Sequence, residues 1–255
     1  MGRWLFSELV RRELRQRYAG SASGVAWTFL QPLAQLALFA FVFSQIFRAT
    51  VPPQYAGVSY TAFVAVALWP WLMFSEALRR ALEAVVANAG VIRKVALPSE
   101  VFVYSSVAAC SIAHLAGYLA VLLVLAATGE RIHLLAIPMS LVLWAAYALL
   151  ALSIGLVLAA LQTFLKDVGH VTDIALNVLF YATPILYPLS FVPDRWREFL
   201  QANPLAYLSE RMREMLLSSP SIRLMDVAAL AGCVAAMLAG QWVFRRLAPY
   251  FEDFL

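Results

Sequence analysis

The charged residues of this 255-residue chain leave six long intervals that contain none. The shortest interval has 18 residues and the longest has 34. A helix needs about 20 mainly apolar residues to cross a bilayer core, because each residue advances it by ~1.5 Å. Each interval has room for one crossing, so the pattern predicts an all-α membrane protein with six transmembrane helices. The intervals are 18–47, 49–75, 101–129, 132–165, 174–193 and 227–244.

The spans and their connections are predicted to form one transmembrane domain over residues 1–255. Hydrophobic residues make up 63% of the chain and charged residues 13%, about half the charged share of a soluble domain. A membrane β-barrel is disfavoured, because its strands would appear as short alternating segments. The net charge of +4 does not indicate a nucleic acid partner, since the basic residues lie at membrane edges. We place the spans at about 29–47, 60–78, 101–127, 135–162, 172–190 and 227–246.

Residues 4–18 are predicted to form an amphipathic helix before the first span. Glu8 with Arg12, and Glu13 with Arg17, would form ion pairs on its polar side, four residues apart. Such a helix lies in the membrane interface, in contact with membrane lipids. The alternative is a solvated start to the first span. The apolar side of the predicted amphipathic helix has a hydrophobic residue at every fourth position, namely Phe6, Val10, Leu14 and Tyr18.

Lysine and arginine are unevenly divided between the two sides of the membrane. Twelve lie before span 1, in the loops after spans 2 and 4, and in the tail, whereas the two short loops opposite carry only Arg48 and Arg131. Basic residues favour the cytoplasmic side, so both termini are predicted to be cytoplasmic. The loop after span 5 carries five arginines, but an even number of spans places it outside.

Two connections between spans are predicted to be ordered. Residues 82–95 are compatible with a cytoplasmic helix, which ends before Pro98 because a proline disfavours helical geometry in the preceding residue. In the outer loop, Asn203 and Pro204 divide residues 194–217 into two short helices. These outer helices either contact the membrane or form a surface hairpin.

The chain carries no motif that indicates catalysis or a bound cofactor. A phosphate-binding loop of the G-x-x-x-x-G-K-[ST] type is absent, so ATP is not expected to bind in that manner. The three histidines and the cysteines Cys110 and Cys233 show no ligand spacing, so no metal site is predicted. His114, in the middle of span 3, is either a functional group or a neutral histidine bonded to a neighbouring helix. We favour the second interpretation, because no acidic partner is apparent at that depth.

Aromatic side chains concentrate on two of the predicted spans. Trp69, Trp71 and Phe74 lie in span 2, and Tyr181 and Tyr187 lie in the outer half of span 5. The tyrosines either anchor the span in the membrane interface or line a path along which sugar rings slide. Sequence alone leaves both alternatives open. The prolines at 184 and 188 are predicted to kink or end the helix.

Short motifs occur in a fixed order around the six spans. By these motifs the chain resembles the membrane subunit of ABC exporters for lipid-linked polysaccharides, the permeases that move O-antigens, capsular chains and teichoic acids. One departure is Lys166, where the family more often has an arginine before the aspartate. The motifs are Arg12-Glu13-Leu14-Arg15-Gln16-Arg17-Tyr18, Leu30-Gln31-Pro32, Leu97-Pro98-Ser99-Glu100-Val101-Phe102, Asp167-Val168, Thr183-Pro184-Ile185-Leu186-Tyr187-Pro188 and Asn203-Pro204-Leu205.

The resemblance implies a homodimer in the cytoplasmic (inner) membrane that forms a channel for a lipid-linked polysaccharide. It also implies two copies of a separate ATPase subunit, which would bind ATP and magnesium in place of this chain. The N-terminal helix would be a gate, the 82–95 segment would couple to the ATPase, and the outer helices would guard the exit. The residues predicted for these roles are Arg11, Arg12, Arg15, Arg17 and Tyr18 (gate helix), Arg93, Lys94, Leu97, Pro98 and Glu100 (ATPase coupling), Trp69, Trp71, Phe74, Tyr181 and Tyr187 (substrate path), and Trp196, Phe199, Asn203 and Tyr207 (outer gate).

Three other functions are weighed against this one. An ABC exporter of a drug or small lipid would share the six-span plan. A membrane-embedded transferase would need a cluster of acids or histidines at a membrane face, and the sequence indicates none. A scaffold subunit is the third alternative.

Overall fold

The computed structural model describes residues 3–17, 26–94 and 97–255, and within these ranges it contains α-helices and no strands. The predicted all-helical architecture is confirmed for this part of the chain. Its ten α-helices are α1 (Arg3–Gln16), α2 (Trp27–Ala40), α3 (Tyr60–Glu83), α4 (Ala89–Ile92), α5 (Glu100–Ala127), α6 (Ile137–Phe164), α7 (Val168–Ala182), α8 (Asp194–Gln201), α9 (Pro204–Arg213) and α10 (Leu224–Leu247).

Four of the described helices are long and apolar enough to cross a membrane, as expected of a multi-pass membrane protein. They are α3, α5, α6 and α10, which coincide with predicted spans 2, 3, 4 and 6. Shorter apolar helices occupy the other two positions. One is α2, which continues into a π-helical turn at Phe41–Ile46, and the other is α7. The count of six crossings therefore stays a prediction.

The helix at span 5 ends earlier than predicted. α7 stops at Ala182, whereas the predicted span runs to residue 190. Thr183 is extended, with φ −108° and ψ 130°, because it precedes Pro184. The chain then runs through a 3₁₀ turn at Leu189–Phe191 into α8. The prolines thus end the helix and leave an irregular turn at its end.

α3 is the central helix of the bundle. It packs against α5 and α6, and also against α2, α7 and α9. Most of its side chains between residues 62 and 78 are buried. Most residues of α9 are buried as well, so the second outer helix packs into the bundle instead of forming a surface hairpin. α8, in contrast, has no buried residue.

α10 packs along α6 at a very close approach. A Cβ atom on Gly240 would lie 2.5 Å from the carbonyl oxygen of Ser153. The Ser153 hydroxyl donates a hydrogen bond to the carbonyl of Ala236 at 2.7 Å. Small residues let two helix backbones meet this closely, which is the usual basis of helix packing in membranes.

The bundle has two ends that differ in their connections. At the termini end, which carries both chain termini, Arg245 of α10 bonds Glu100 at the start of α5 at 3.0 Å. At the opposite, distal end, Tyr55 before α3 donates to Glu210 of α9 at 2.9 Å. Burial and the Glu210 carboxylate raise the pKa of Tyr55, so its hydroxyl keeps the proton that it donates. The loops predicted to be cytoplasmic share the termini end, and the side of the membrane that this end faces stays a prediction.

Candidate functional site

An aromatic cleft opens beyond the distal end of α7. Tyr181 is 69% exposed, and the Tyr187 hydroxyl donates to its carbonyl oxygen at 2.6 Å. α8 faces these rings with Trp196 and Phe199, which are 54% and 71% exposed. Together with Phe191 they line a cleft of about 460 Å³. The structure thus brings together two residue sets that were predicted separately, for the substrate path and for the outer gate.

Asn203 fixes the start of α9 against the end of α7. Its Oδ1 accepts a hydrogen bond from the N–H of Leu205 at 3.0 Å and thereby caps α9. Its Nδ2 donates to the carbonyl of Ala182 at 3.3 Å and to Oγ1 of Thr183 at 3.1 Å. Asn203, predicted for the outer gate, therefore supports the turn next to the cleft.

A buried arginine holds the irregular turn after α7. Arg213, the last residue of α9, is 0% exposed. It donates to the carbonyls of Phe63 at 3.0 Å, Pro184 at 2.6 Å and Ile185, and it also contacts Glu210 at 3.4 Å. The carbonyls of Pro184 and Ile185 follow the end of α7, so Arg213 supplies donors to groups without helical partners, and its bond to Phe63 ties them to the first turn of α3. Arg213 thereby joins α3, α7 and α9, a role that the sequence analysis missed.

A second arginine ties α9 to α10. Arg211 makes two hydrogen bonds with the carboxylate of Asp226, at 2.7 and 2.8 Å. Tyr207 donates to the same carboxylate at 2.6 Å. Burial and the Asp226 carboxylate raise the pKa of Tyr207 to about 12, so it remains a donor at neutral pH. Tyr207, predicted for the outer gate, is thus part of a bonded anchor beside the cleft.

α7 carries a polar stripe along one exposed side. His170, Asp173, Asn177 and Tyr181 follow one another at intervals of three and four residues, so they share one side of the helix. All four are exposed in the single chain. Asp173 bonds Arg79 of α3 at 2.7 Å. The stripe runs from the termini end of α7 to the aromatic cleft.

The other aromatic residues predicted for the substrate path lie in the core. Trp69, Trp71 and Phe74 of α3 are at most 4% exposed. Trp69 Nε1 donates to the carbonyl of His114 at 3.1 Å, and its ring packs against Gly117 so closely that a Cβ there would lie 2.8 Å away. The role of these three residues in the substrate path stays a prediction. Their burial does not favour contact with a substrate.

A charged cluster joins α1, α3 and α5. The Glu76 carboxylate contacts Arg17, Arg80 and Nε2 of His114, each at 2.7 Å. The expectation that His114 lacks an acidic partner is wrong, because Glu76 faces it from α3. α3 continues to Glu83, beyond the predicted end of span 2 at residue 78, so Glu76 lies inside the helix and reaches His114.

The predicted gate helix, α1, lies along α5. Leu9 and Val10 are buried there, whereas Arg11 and Arg15 are exposed. α1 is amphipathic as predicted, with its apolar side against protein. Tyr18 lies outside the described residues.

Arg12 of α1 and Arg17, the residue after α1, turn towards the bundle. Arg12 bonds Asn88 at 2.5 Å, and Arg17 bonds Glu76. The predicted pair of Glu8 with Arg12 is wrong, because Glu8 pairs with Arg11 and Arg12 contacts Glu13 and Asn88, whereas the pair of Glu13 with Arg17 stays a prediction. An exposed pair within one helix contributes only about 0.2–0.5 kcal/mol, so less exposed partners displace it.

The segment predicted to couple to an ATPase is not one continuous helix. α3 ends at Glu83, and a 3₁₀ turn at Val86–Asn88 and the four-residue α4 follow. The Asn88 amide donates to the carbonyl of Ala84 at 2.8 Å, a side-chain bond of the kind that competes with helical geometry. Residues 95 and 96 lie outside the described ranges.

The residues predicted for coupling differ in exposure. Arg93, Lys94 and Pro98 are exposed at the termini end, and Leu97 is half-buried. Glu100 is only 9% exposed and is held by Arg245. Arg93, Lys94 and Pro98 are therefore accessible to a partner, whereas Glu100 links α5 to α10.

Comparison with known proteins identifies the family. The family model described as ABC-2 type transporter matches residues 5–217, from α1 to the turn after α9. The chain belongs to the ABC-2 type transporter family. It is therefore a membrane transport subunit, and the resemblance drawn from the short motifs is confirmed. The match includes α1, the polar stripe, the aromatic cleft and both buried arginines.

Several relatives of this ABC-2 chain have names that refer to polysaccharide export. It is 30% identical over 195 residues to the O-antigen export system permease protein RfbA of Myxococcus xanthus, covering 75% of this chain and 71% of the relative. It is 26% identical over 204 residues to the protein of the same name from Klebsiella pneumoniae, covering 79% and 76%. The polysialic acid transport protein KpsM of Escherichia coli is 24% identical over 197 residues, covering 77% and 74%.

Proposed function

We propose that this ABC-2 chain forms, as a homodimer, the channel of an ATP-driven exporter that moves a lipid-linked polysaccharide across the cytoplasmic membrane. The observation that carries the proposal is the polar stripe of α7, which ends in the aromatic cleft. A sugar offers hydroxyl groups to polar side chains and apolar C–H faces to aromatic rings. The names of the relatives, which refer to O-antigen and polysialic acid, support the same class of substrate.

The two exposed sides of α7 indicate how the path is formed. His170, Asp173 and Asn177 lie on the side of a membrane helix, where lipid tails offer them no hydrogen bonds. The adjacent side presents Val171 and Val178, which are 64% and 62% exposed. A second copy of the chain that faces the polar stripe across a water-filled path would separate it from lipid. The apolar side is then left for lipid or for the partner's helices.

Two separate ATPase subunits would bind at the termini end, which faces the cytoplasm in this proposal. Arg93, Lys94 and Pro98 are exposed there. The ATPase subunits would supply the sites for ATP and magnesium. α1 lies beside this surface, so it is placed to act as the gate where the lipid-linked end of the polymer enters.

Single cysteines on the two sides of α7 test the proposed path. Asn177→Cys and Val178→Cys lie at the same depth but on different sides of the helix. In a chain with Cys110→Ser and Cys233→Ser, a water-soluble thiol reagent that does not cross lipid is expected to label Asn177→Cys at least about tenfold faster, because only that side would face water. A polysaccharide trapped in the channel should protect the same position.

One labelling result would contradict the proposed path. If Val178→Cys is labelled as fast as Asn177→Cys in an exporting complex, the polar stripe does not line the path. Protection by a drug or small lipid, with none by the polysaccharide, would instead favour the other class of exporter.

Charge reversal at the proposed coupling surface is expected to stop export. Replacing Arg93 and Lys94 by glutamate puts two acidic side chains on the surface where the ATPase is proposed to contact two basic ones. Like charges brought together at an interface cost several kcal/mol, so copurification with the ATPase should fall by about tenfold or more. Arg195→Glu, exposed at the distal end, is the matched control and should leave copurification unchanged. Normal copurification and export by the double variant would place the coupling surface elsewhere.

A further inference from the structure

Three side chains of metal-ligating type meet where α3 and α5 cross. Cys110 and His114 lie one turn apart on α5, and Glu76 faces them from α3. One ligand atom of each, sulfur, nitrogen and oxygen, lies within 4.8 Å of the other two. Cys110 and His114 are buried, whereas the Glu76 side chain is 30% exposed.

The chemistry of this donor set is that of a zinc site. A thiolate, an imidazole and a carboxylate are the three side-chain ligands that Zn²⁺ uses in proteins. A thiolate also selects a soft cation against magnesium and calcium. Residues four apart on a helix present both side chains to one side, as Cys110 and His114 do here. Three protein ligands leave a fourth tetrahedral position for water.

A cation from the protein itself already contacts all three donors. Nη2 of Arg17 lies 2.7 Å from the Glu76 carboxylate and 3.3 Å from Nε2 of His114. Nη1 of Arg17 lies 3.9 Å from the Cys110 sulfur. The guanidinium thus occupies the position that a metal bound to these donors would take, so the two cations exclude each other.

We propose that Glu76, Cys110 and His114 form a Zn²⁺-binding site that competes with Arg17 of α1. On binding, the S–H bond of Cys110 breaks, a sulfur–zinc bond forms, and the proton leaves to solvent. His114 gives up to solvent the Nε2 proton that it donates to Glu76 and takes a proton at Nδ1 instead, so Nε2 and an oxygen of Glu76 can donate their lone pairs to the metal. Arg17 withdraws, so the N-terminal segment loses its contact with Glu76, while the bond between Arg12 and Asn88 remains.

The surroundings of Glu76 allow Arg17 to be replaced. Glu76 lines an open cleft of about 530 Å³, together with Glu13, Glu83 and the arginines Arg79 and Arg80, so this donor is accessible from the cleft. Arg80 bonds the other carboxylate oxygen of Glu76 at 2.7 Å. The carboxylate therefore keeps a partner when Arg17 is replaced, and the chain is expected to fold.

Metal binding by the purified full-length chain tests the proposal without reference to transport. Cd²⁺ serves as the probe, because its bond to a thiolate gives an ultraviolet charge-transfer band. Arg17→Gln is expected to bind Cd²⁺ about tenfold or more tightly than the unsubstituted chain, since a charged hydrogen-bonded competitor is removed. Arg17→Lys retains a cation and should bind as weakly as the unsubstituted chain. Excess Zn²⁺ should abolish the band.

Cysteine variants locate the bound ion. In the Arg17→Gln chain, Cys110→Ser is expected to remove the band, whereas Cys233→Ser, which alters a buried cysteine of α10, should retain it. The proposal is overturned if the Arg17→Gln chain elutes as the folded protein and shows no band. It is equally overturned if Cys233→Ser removes the band, or if Arg17→Gln and the unsubstituted chain bind equally tightly.

Discussion

Replacement of Arg213 by methionine is expected to destroy the folded protein. The guanidinium donates to the carbonyls of Phe63, Pro184 and Ile185 in a fully buried site. Methionine fills a similar space but offers no donor, so three buried carbonyls lose a hydrogen bond, and those of Pro184 and Ile185 have no helical partner to replace it. Removing one side of a buried charged network costs about 3–5 kcal/mol, comparable with the whole stability of many domains. Detergent-solubilised protein should therefore elute as aggregate, and export should be lost.

Two comparisons separate this effect from a general loss of charge. Arg195→Met removes an exposed arginine of α8 and should leave both elution and export unchanged. Arg213→Lys keeps the charge but on one nitrogen instead of three. Its thermal stability should lie between those of the unsubstituted chain and Arg213→Met. If Arg213→Met melts at the same temperature as the unsubstituted chain, the network around the turn does not stabilise the fold.

Alanine at Gly240 is expected to separate α10 from α6. The added Cβ would lie 2.5 Å from the carbonyl oxygen of Ser153, and a backbone atom cannot move aside as the end of a side chain can. Overpacking of a close-packed interior costs about 1–3 kcal/mol, so the free energy of unfolding should fall by at least that amount. We expect the purified variant to melt at a lower temperature and to export less.

Gly232→Ala is the matched control for this change. Gly232 lies on the same helix, but a Cβ there would meet nothing within 4 Å. Both substitutions raise helix propensity equally, so propensity cancels in the comparison. Equal stability of the two variants would mean that α10 and α6 do not approach each other as the structure shows.

The long helices were predictable from the sequence, whereas the partners of the charged residues were not. Charge-free intervals mark α3, α5, α6 and α10 because a membrane helix satisfies its backbone internally and excludes unpaired charge. Arg213 has no such local signature. It sits in a segment whose acidic neighbours, Glu210 and Glu214, suggest a solvated helix. Only the tertiary fold shows that it meets three carbonyl groups from distant parts of the chain.

Two features of the candidate site could not be predicted from the sequence, each for a different reason. Glu76 was placed at the end of span 2, but α3 continues past it to Glu83 and brings it level with His114. The spacing of Cys110 and His114, one helical turn, was the signal that could have revealed the cluster. For the aromatic residues, the sequence singled out Tyr181 for the substrate path and Trp196 for the outer gate. It could not show that they share a cleft, because the turn at Pro184 decides which way α8 points.

The docking of α1 also constrains the order in which the protein is assembled during synthesis. α1 is synthesised before its partners, since Arg12 meets Asn88 76 residues later, and Arg17 meets Glu76 and His114 after 59 and 97 residues. Until α5 has been inserted, these arginines are available at the membrane surface, where basic residues keep a segment on the side of synthesis. The same side chains thus act first as a topological signal and later as structural anchors. α1 can therefore reach its native position only after α5 has been made.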